Sequence, residues 1–75
     1  MRKTVDKKFI KALGKRLAEV RKQKNVTQEQ LAEDANLSLS QIARIETGVI
    51  NTSVNNIYII AKALDVQPKT LFDFE

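Results

Sequence analysis

A chain of 75 residues has room for one domain, residues 1–75, and a domain this small buries only about 60% of the surface its unfolded form exposes. With no cysteine, no histidine and no apolar run near the ~20 residues of a membrane span, it excludes disulfides, Cys/His metal sites and transmembrane helices. The net charge of +4 is uneven: residues 1–25 hold ten Lys/Arg against Asp6 and Glu19, whereas residues 26–75 hold three against seven acids, so the first third suits a polyanionic partner.

In the first segment Ile10, Leu13, Leu17 and Val20 recur at helical spacing while Lys7, Lys8, Lys11, Lys15, Arg16 and Lys22 fill the other faces. This predicts a helix from about Asp6 to Lys24, with Gly14 tolerated inside it at some cost. Residues 1–5 are basic and polar, either a frayed end or a flexible arm that touches a phosphate backbone. Thr27 and Gln30 have capping-box spacing, and Val26 and Leu31 that of a hydrophobic staple, so a second helix starts at Gln28. The pattern repeats at Ser38 and Gln41 with Leu37 and Ile42, which starts a third helix at Leu39. Asn36 stands where the chain must reverse, and it tolerates a left-handed conformation. The second helix therefore ends near Ala35.

Gly48 follows Thr47 as the C-terminal cap of the third helix. After a loop, Ser53 can cap a fourth helix with Val54, Ile57, Ile60, Ala61 and Leu64 as its buried stripe, stopping near Asp65. Pro68 suits the first turn of a short fifth helix that carries Leu71 and Phe72 inward. The expected fold is all-α, a compact five-helix domain with no repeat, linker or low-complexity tract.

Two helix starts eleven residues apart, with apolar Leu31, Ala35, Leu37, Ile42 and Ile45 and small Ala32 between the helices, describe a helix-turn-helix over residues 28–47. Its second helix leaves Ser38, Ser40, Gln41, Arg44 and Thr47 outside the core, ready to enter a groove of DNA. The run from Leu13 to Phe72 resembles the phage-repressor and Cro proteins of the Xre, or lambda-repressor-like, helix-turn-helix family. The resemblance is carried by Leu13-Gly14-Lys15-Arg16-Leu17, Val20-Arg21, Thr27-Gln28-Glu29-Gln30-Leu31-Ala32, Ile42-Ala43-Arg44-Ile45-Glu46-Thr47-Gly48 and Ile60-Ala61-Lys62-Ala63-Leu64.

The resemblance implies base-edge contacts from Ser38, Leu39, Ser40 and Arg44. Arg44 is the strongest reader, because a guanidinium can donate twice to O6 and N7 of guanine, and a phosphate contact is the alternative. Leu39 either meets a thymine methyl group or folds back onto the domain, and Ser40 discriminates little by itself. It further implies that Gln28 binds a phosphate at the N-terminus of the second helix, unless it is only an exposed glutamine. Gln41 is foremost the capping partner of Ser38, with a backbone contact secondary. Thr47, Asn51 and Thr52 stand where the family grips the sugar-phosphate backbone. Unlike many relatives, the loop Val49-Ile50-Asn51-Thr52-Ser53-Val54 has no cation, so backbone grip falls more to the basic first helix, including Lys7, Lys11 and Lys22. Arg21 and Glu46 match a buried or half-buried structural ion pair.

One recognition helix reads few base pairs, so a homodimer on a palindromic operator is the expected form. Val49, Ile50, Tyr58, Ile59, Phe72 and Phe74 offer an apolar surface for it, although Tyr58 and Phe74 could instead close the small core. The expected function is a sequence-specific double-stranded DNA-binding transcriptional regulator, a repressor or a restriction-modification-type controller that works without a cofactor. The alternative is a protein-interaction module of the same fold, such as an antitoxin, which the apolar and acidic C-terminal part would serve. An enzyme is not expected: no glycine-rich phosphate loop, carboxylate cluster or Cys/His nucleophile assembles a reaction centre. Charges near the N-terminus are not followed by the apolar stretch of a secretory signal, so a cytoplasmic location is expected.

Overall fold

The computed structural model describes residues 6–74; residue 75 and residues 1–5, where a basic arm was an alternative, lie outside them. The described residues form five helices and no strand: α1 Lys7–Gln23, α2 Gln28–Ala35, α3 Leu39–Thr47, α4 Val54–Ala63 and α5 Pro68–Leu71. The all-α architecture is the one read from the sequence.

Side chains fix where four of the helices begin. Asp6, Thr27, Ser38 and Ser53 are extended N-caps whose oxygens accept from the backbone N–H three residues on, satisfying a donor that the first turn leaves open. Only Ser38 completes the reciprocal box, since the Gln41 side chain accepts from the Ser38 N–H at 3.0 Å. The box expected at Thr27 is half formed. Gln30 Nε2 donates instead to Asp34 Oδ1 at 2.9 Å, a one-turn pairing on the exposed face of α2.

One backbone device ends all four longer helices. Asn25, Asn36, Gly48 and Asp65 are left-handed, with φ of 60°, 57°, 74° and 60°. The next N–H in each case reaches a carbonyl five residues back: Val26 to Arg21, Leu37 to Ala32, Val49 to Arg44 and Val66 to Ala61, at 2.9–3.1 Å. The residue after each reversal is apolar, as this motif favours. Val26, Leu37 and Val66 pack against the core, whereas Val49 stays 70% exposed.

Leu17, Leu31, Ile42, Ile60, Leu64 and Leu71 form the centre of the core, to which all five helices contribute, with Leu13, Val20, Ile45 and Ile57 around them. α3 packs on α1 and α2, α4 on α2 and α5, and α5 returns to α1. Both glycines of the chain lie where α1 crosses the end of α3. A Cβ on Gly14 would overlap the Ile45 carbonyl oxygen and stand 2.7 Å from that of Glu46; one on Gly48 would stand 2.6 Å from Lys11 Cγ. The Gly14 read as a tolerated cost is thus what permits this approach. Arg16 adds a tie between the chain's ends, its Nε donating to the Thr70 carbonyl at 3.0 Å.

Two expected core positions are corrected. Val54 is 84% exposed, because it is the first residue of α4 and the neighbouring helices cover the stripe only from Ile57 onward. Phe72 is 42% exposed: α5 ends at Leu71, so Phe72 leaves the helical phase that buries Leu71. Its ring stacks on Phe9 at a centroid distance of 6.4 Å, and Phe74 meets the same Phe9 at 5.5 Å.

Candidate nucleic-acid interface

The candidate recognition surface follows from how α3 is held. Ile42 and Ile45 point into the core and Leu37 packs beside them, which leaves exposed Ser38 at the N-cap, Leu39 and Ser40 in the first turn of α3, and Arg44 in its last turn. Ser40 and Arg44 make no side-chain hydrogen bond or ion pair among the described residues, so their donors are available to a ligand. Leu39 is 44% exposed, and its side chain is therefore not folded into the core. Ser38 Oγ accepts from the Gln41 N–H at 3.0 Å, which leaves the hydroxyl proton free to donate. Gln41 uses its oxygen in the same box and keeps its Nε2.

The residues read as backbone contacts divide into three places. Gln28 begins α2 half-buried, and its Nε2 donates to Glu46 Oε1 at 2.8 Å rather than standing free. Thr47 is exposed, but its hydroxyl hydrogen is directed back to the carbonyls of Ala43 and Arg44, at 3.0 and 3.3 Å. Only its lone pairs and backbone remain for other contacts. Thr52 Oγ1 accepts from Asn56 Nδ2 at 3.1 Å, which fastens the loop to the first turn of α4; Asn51 is exposed. A groove between α1 and this loop is lined by Lys7, Ile10, Lys11, Val49, Ile50 and Asn51, so two of the named lysines and Asn51 share one place. Lys22 lies at the other end of α1, about 22 Å from Lys7 at a rise of about 1.5 Å per residue.

Behind this surface Arg21 and Glu46 form a buried, two-pronged pair. Arg21 Nε meets Glu46 Oε2 at 2.6 Å and Nη2 meets Oε1 at 3.1 Å, while Nη1 donates to the Val26 carbonyl at 2.8 Å. Each nitrogen of the guanidinium thereby donates within the fold.

α2 and α3 form a helix-turn-helix, and sequence comparison agrees with it: residues 17–71 match the family HTH_3, described as helix-turn-helix. The chain belongs to this helix-turn-helix family. The control protein C.BamHI of Bacillus amyloliquefaciens is 45% identical over 62 residues, covering 81% of this chain and 76% of that protein. Among solved structures, the restriction-modification controller protein C.AhdI of Aeromonas hydrophila superposes with a TM-score of 0.82 at 40% identity, over 84% of this chain and 96% of that one. SinR, a master regulator for biofilm formation solved in complex with DNA, superposes with a TM-score of 0.76 at 32% identity, over 81% and 98%.

Within this helix-turn-helix protein the apolar surface read as a dimer face is only partly free. Val49, Tyr58 and Phe72 are 70%, 51% and 42% exposed, whereas Ile50, Ile59 and Phe74 are half-buried against the core. Two exposed residues join the face that the sequence did not single out for it. Phe9 is 46% exposed, and Val54 borders a cavity of about 170 Å³ with Phe9, Ile10, Leu13, Ile50, Ile57 and Phe72. Phe9 lies one turn before Leu13 at the edge of the apolar stripe of α1, and its contacts with Phe72 and Phe74 show its place. No helix of the described residues is long and apolar enough to cross a membrane.

Proposed function

We propose that the chain, as a single domain, is a double-stranded DNA-binding transcriptional regulator that reads a palindromic operator as a homodimer. The observation that carries the reading is the exposed face of α3: Ser38, Leu39, Ser40 and Arg44 stand together, with Arg44 unpaired, on a helix whose opposite side is locked into the core. Arg44 donates to guanine in the major groove, Ser38 and Ser40 supply adaptable hydrogen bonds, and Leu39 meets a thymine methyl group. Gln28 and the amides of the first turn of α2 hold one phosphate, while Lys7, Lys11 and Asn51 line the groove that holds another. Gln41, Thr47, Thr52 and Lys22 complete the backbone contacts.

The relatives support a regulator rather than an enzyme, since two of those compared are control proteins and a third was solved bound to DNA. The chain acts in the cytoplasm, without catalysis and without a cofactor. Dimerisation draws on the exposed apolar residues around Val49, Val54, Tyr58 and Phe72; of the four apolar residues that follow the left-handed helix stops, Val49 is the one that does not pack against the core.

Selection of binding sites from random DNA tests the reading. The expected product is a two-fold symmetric sequence with half-sites about one helical turn, or 34 Å, apart. Binding to it should weaken steeply with salt, about 0.9 logarithmic units per phosphate neutralised for each tenfold rise in salt. Selection that returns no sequence, together with a stoichiometric protein partner, would instead favour an interaction module such as an antitoxin.

A further inference from the structure

The buried ion pair and the phosphate-facing end of α2 meet on a single carboxylate. Glu46 Oε2 accepts from Arg21 Nε at 2.6 Å, and its Oε1 accepts both Arg21 Nη2 at 3.1 Å and Gln28 Nε2 at 2.8 Å. We propose that Glu46 is a positioning residue for DNA binding, which holds the Gln28 amide in one orientation so that it meets a phosphate already ordered. The proposal rests on the reading of Gln28 as a phosphate contact.

The chemistry of the three groups leaves one arrangement. A carboxylate only accepts hydrogen bonds, so of the two ends of the Gln28 amide only the nitrogen can face Glu46. That nitrogen has two N–H bonds. One is held by Glu46, and the other is unengaged among the described residues. A phosphate oxygen also only accepts, so it needs this second N–H. Glu46 thereby selects the one amide orientation in which a donor remains at the surface. An untethered glutamine in the first turn of a helix would sample several rotamers and both amide orientations. Here that freedom is lost on folding and does not have to be lost again on binding.

Arg21 makes the arrangement compatible with DNA. A lone carboxylate beside the phosphate site would repel it, but the two-pronged guanidinium neutralises Glu46. The same guanidinium holds the Val26 carbonyl at 2.8 Å, just before α2, so the helix and its first side chain are aligned by one pair. Only 6% of the Glu46 side chain and 10% of that of Arg21 is exposed, which keeps water from competing for these bonds.

Two measurements on the full chain test the proposal. Side-chain ¹⁵N relaxation of the free protein should show a rigid Gln28 amide beside mobile Gln23 and Gln67, both of which are exposed and unbonded. A Gln28 amide as mobile as those two overturns the proposal, and this result needs no variant. Phosphate-ethylation interference on the selected operator gives the second. Q28A should lose one phosphate per half-site and about tenfold in affinity, the loss of a hydrogen bond to a charged group. E46Q offers one acceptor oxygen to three donors, so it should lose interference at that same phosphate and keep the others. A merely structural role for Glu46 would weaken all contacts alike. In the E46Q background the Q28A change should cost little more, since residues that act as a unit are not additive. Full affinity in Q28A would sink the phosphate reading itself; a loss in Q28A that is undiminished in E46Q would sink the positioning role alone.

Discussion

On the proposed function, Arg44 is the residue on which discrimination between bases turns. It is exposed and has no partner within the described fold, so its removal should leave the protein intact while relaxing preference at one base pair per half-site. The expected cost for Arg44→Ala is about 1–3 kcal/mol at that position, read by competition between operator variants. Unchanged discrimination would move Arg44 to the backbone. Gly14 tests the opposite kind of residue, one with no ligand to touch. Helix propensity alone says that Gly14→Ala stabilises an interior helical site by about 1 kcal/mol. The structure reverses the sign, because the added Cβ would strike the carbonyl oxygens of Ile45 and Glu46. A loss of about 3 kcal/mol in urea unfolding is expected, at the upper end of overpacking costs; a gain would refute the tight crossing.

At the scale of elements, what matters is how each helix is started and stopped. Capping residues were legible because they act within four residues of chain, and Ser38 is the case where both halves of the box form. Ser38→Ala should therefore cost about 1 kcal/mol of stability by removing an acceptor from the first turn of α3. It should also weaken DNA binding, since the same turn presents Leu39 and Ser40; the two effects separate when unfolding and gel-shift titrations are compared. The left-handed stops at Asn25 and Asp65 follow the same local logic as Asn36 and Gly48. Where two local partners compete, sequence does not choose: Gln30 had both Thr27 and Asp34 within reach, and the pairing along α2 prevailed.

For the whole molecule the open surface is apolar and lies around the start of α4 and the loop before it. Val49 and Val54 are 70% and 84% exposed, a cost that a lone small domain has no reason to bear. Val54→Asp, alone and with Val49→Asp, should leave thermal unfolding of the monomer nearly unchanged, because neither side chain is buried. Sedimentation should show the proposed dimer weakened, and operator affinity should fall accordingly. A variant that still sediments as a dimer would move the interface elsewhere. α1 borders this surface, since Lys7 and Lys11 share a groove with Val49 and Asn51. Replacing Lys11 with Gln should reduce the slope of log affinity against log salt by about 1 while leaving base preference intact.

The sequence by itself determined the five helices, the caps at Thr27, Ser38, Gly48 and Ser53, the fold class and the face of α3 that is turned outward. These depend on the spacing of apolar and capping residues over a few turns, and such interactions are local. The tertiary structure alone decided that Gly14 and Gly48 serve one helix crossing, that Val54 and Phe72 lie outside the core, and that Phe9 gathers Phe72 and Phe74. It also added Gln28 to the Glu46 carboxylate that Arg21 was expected to pair with. Each of these depends on residues far apart along the chain, whose distance is set by how the helices cross, a quantity that no periodicity along the chain encodes.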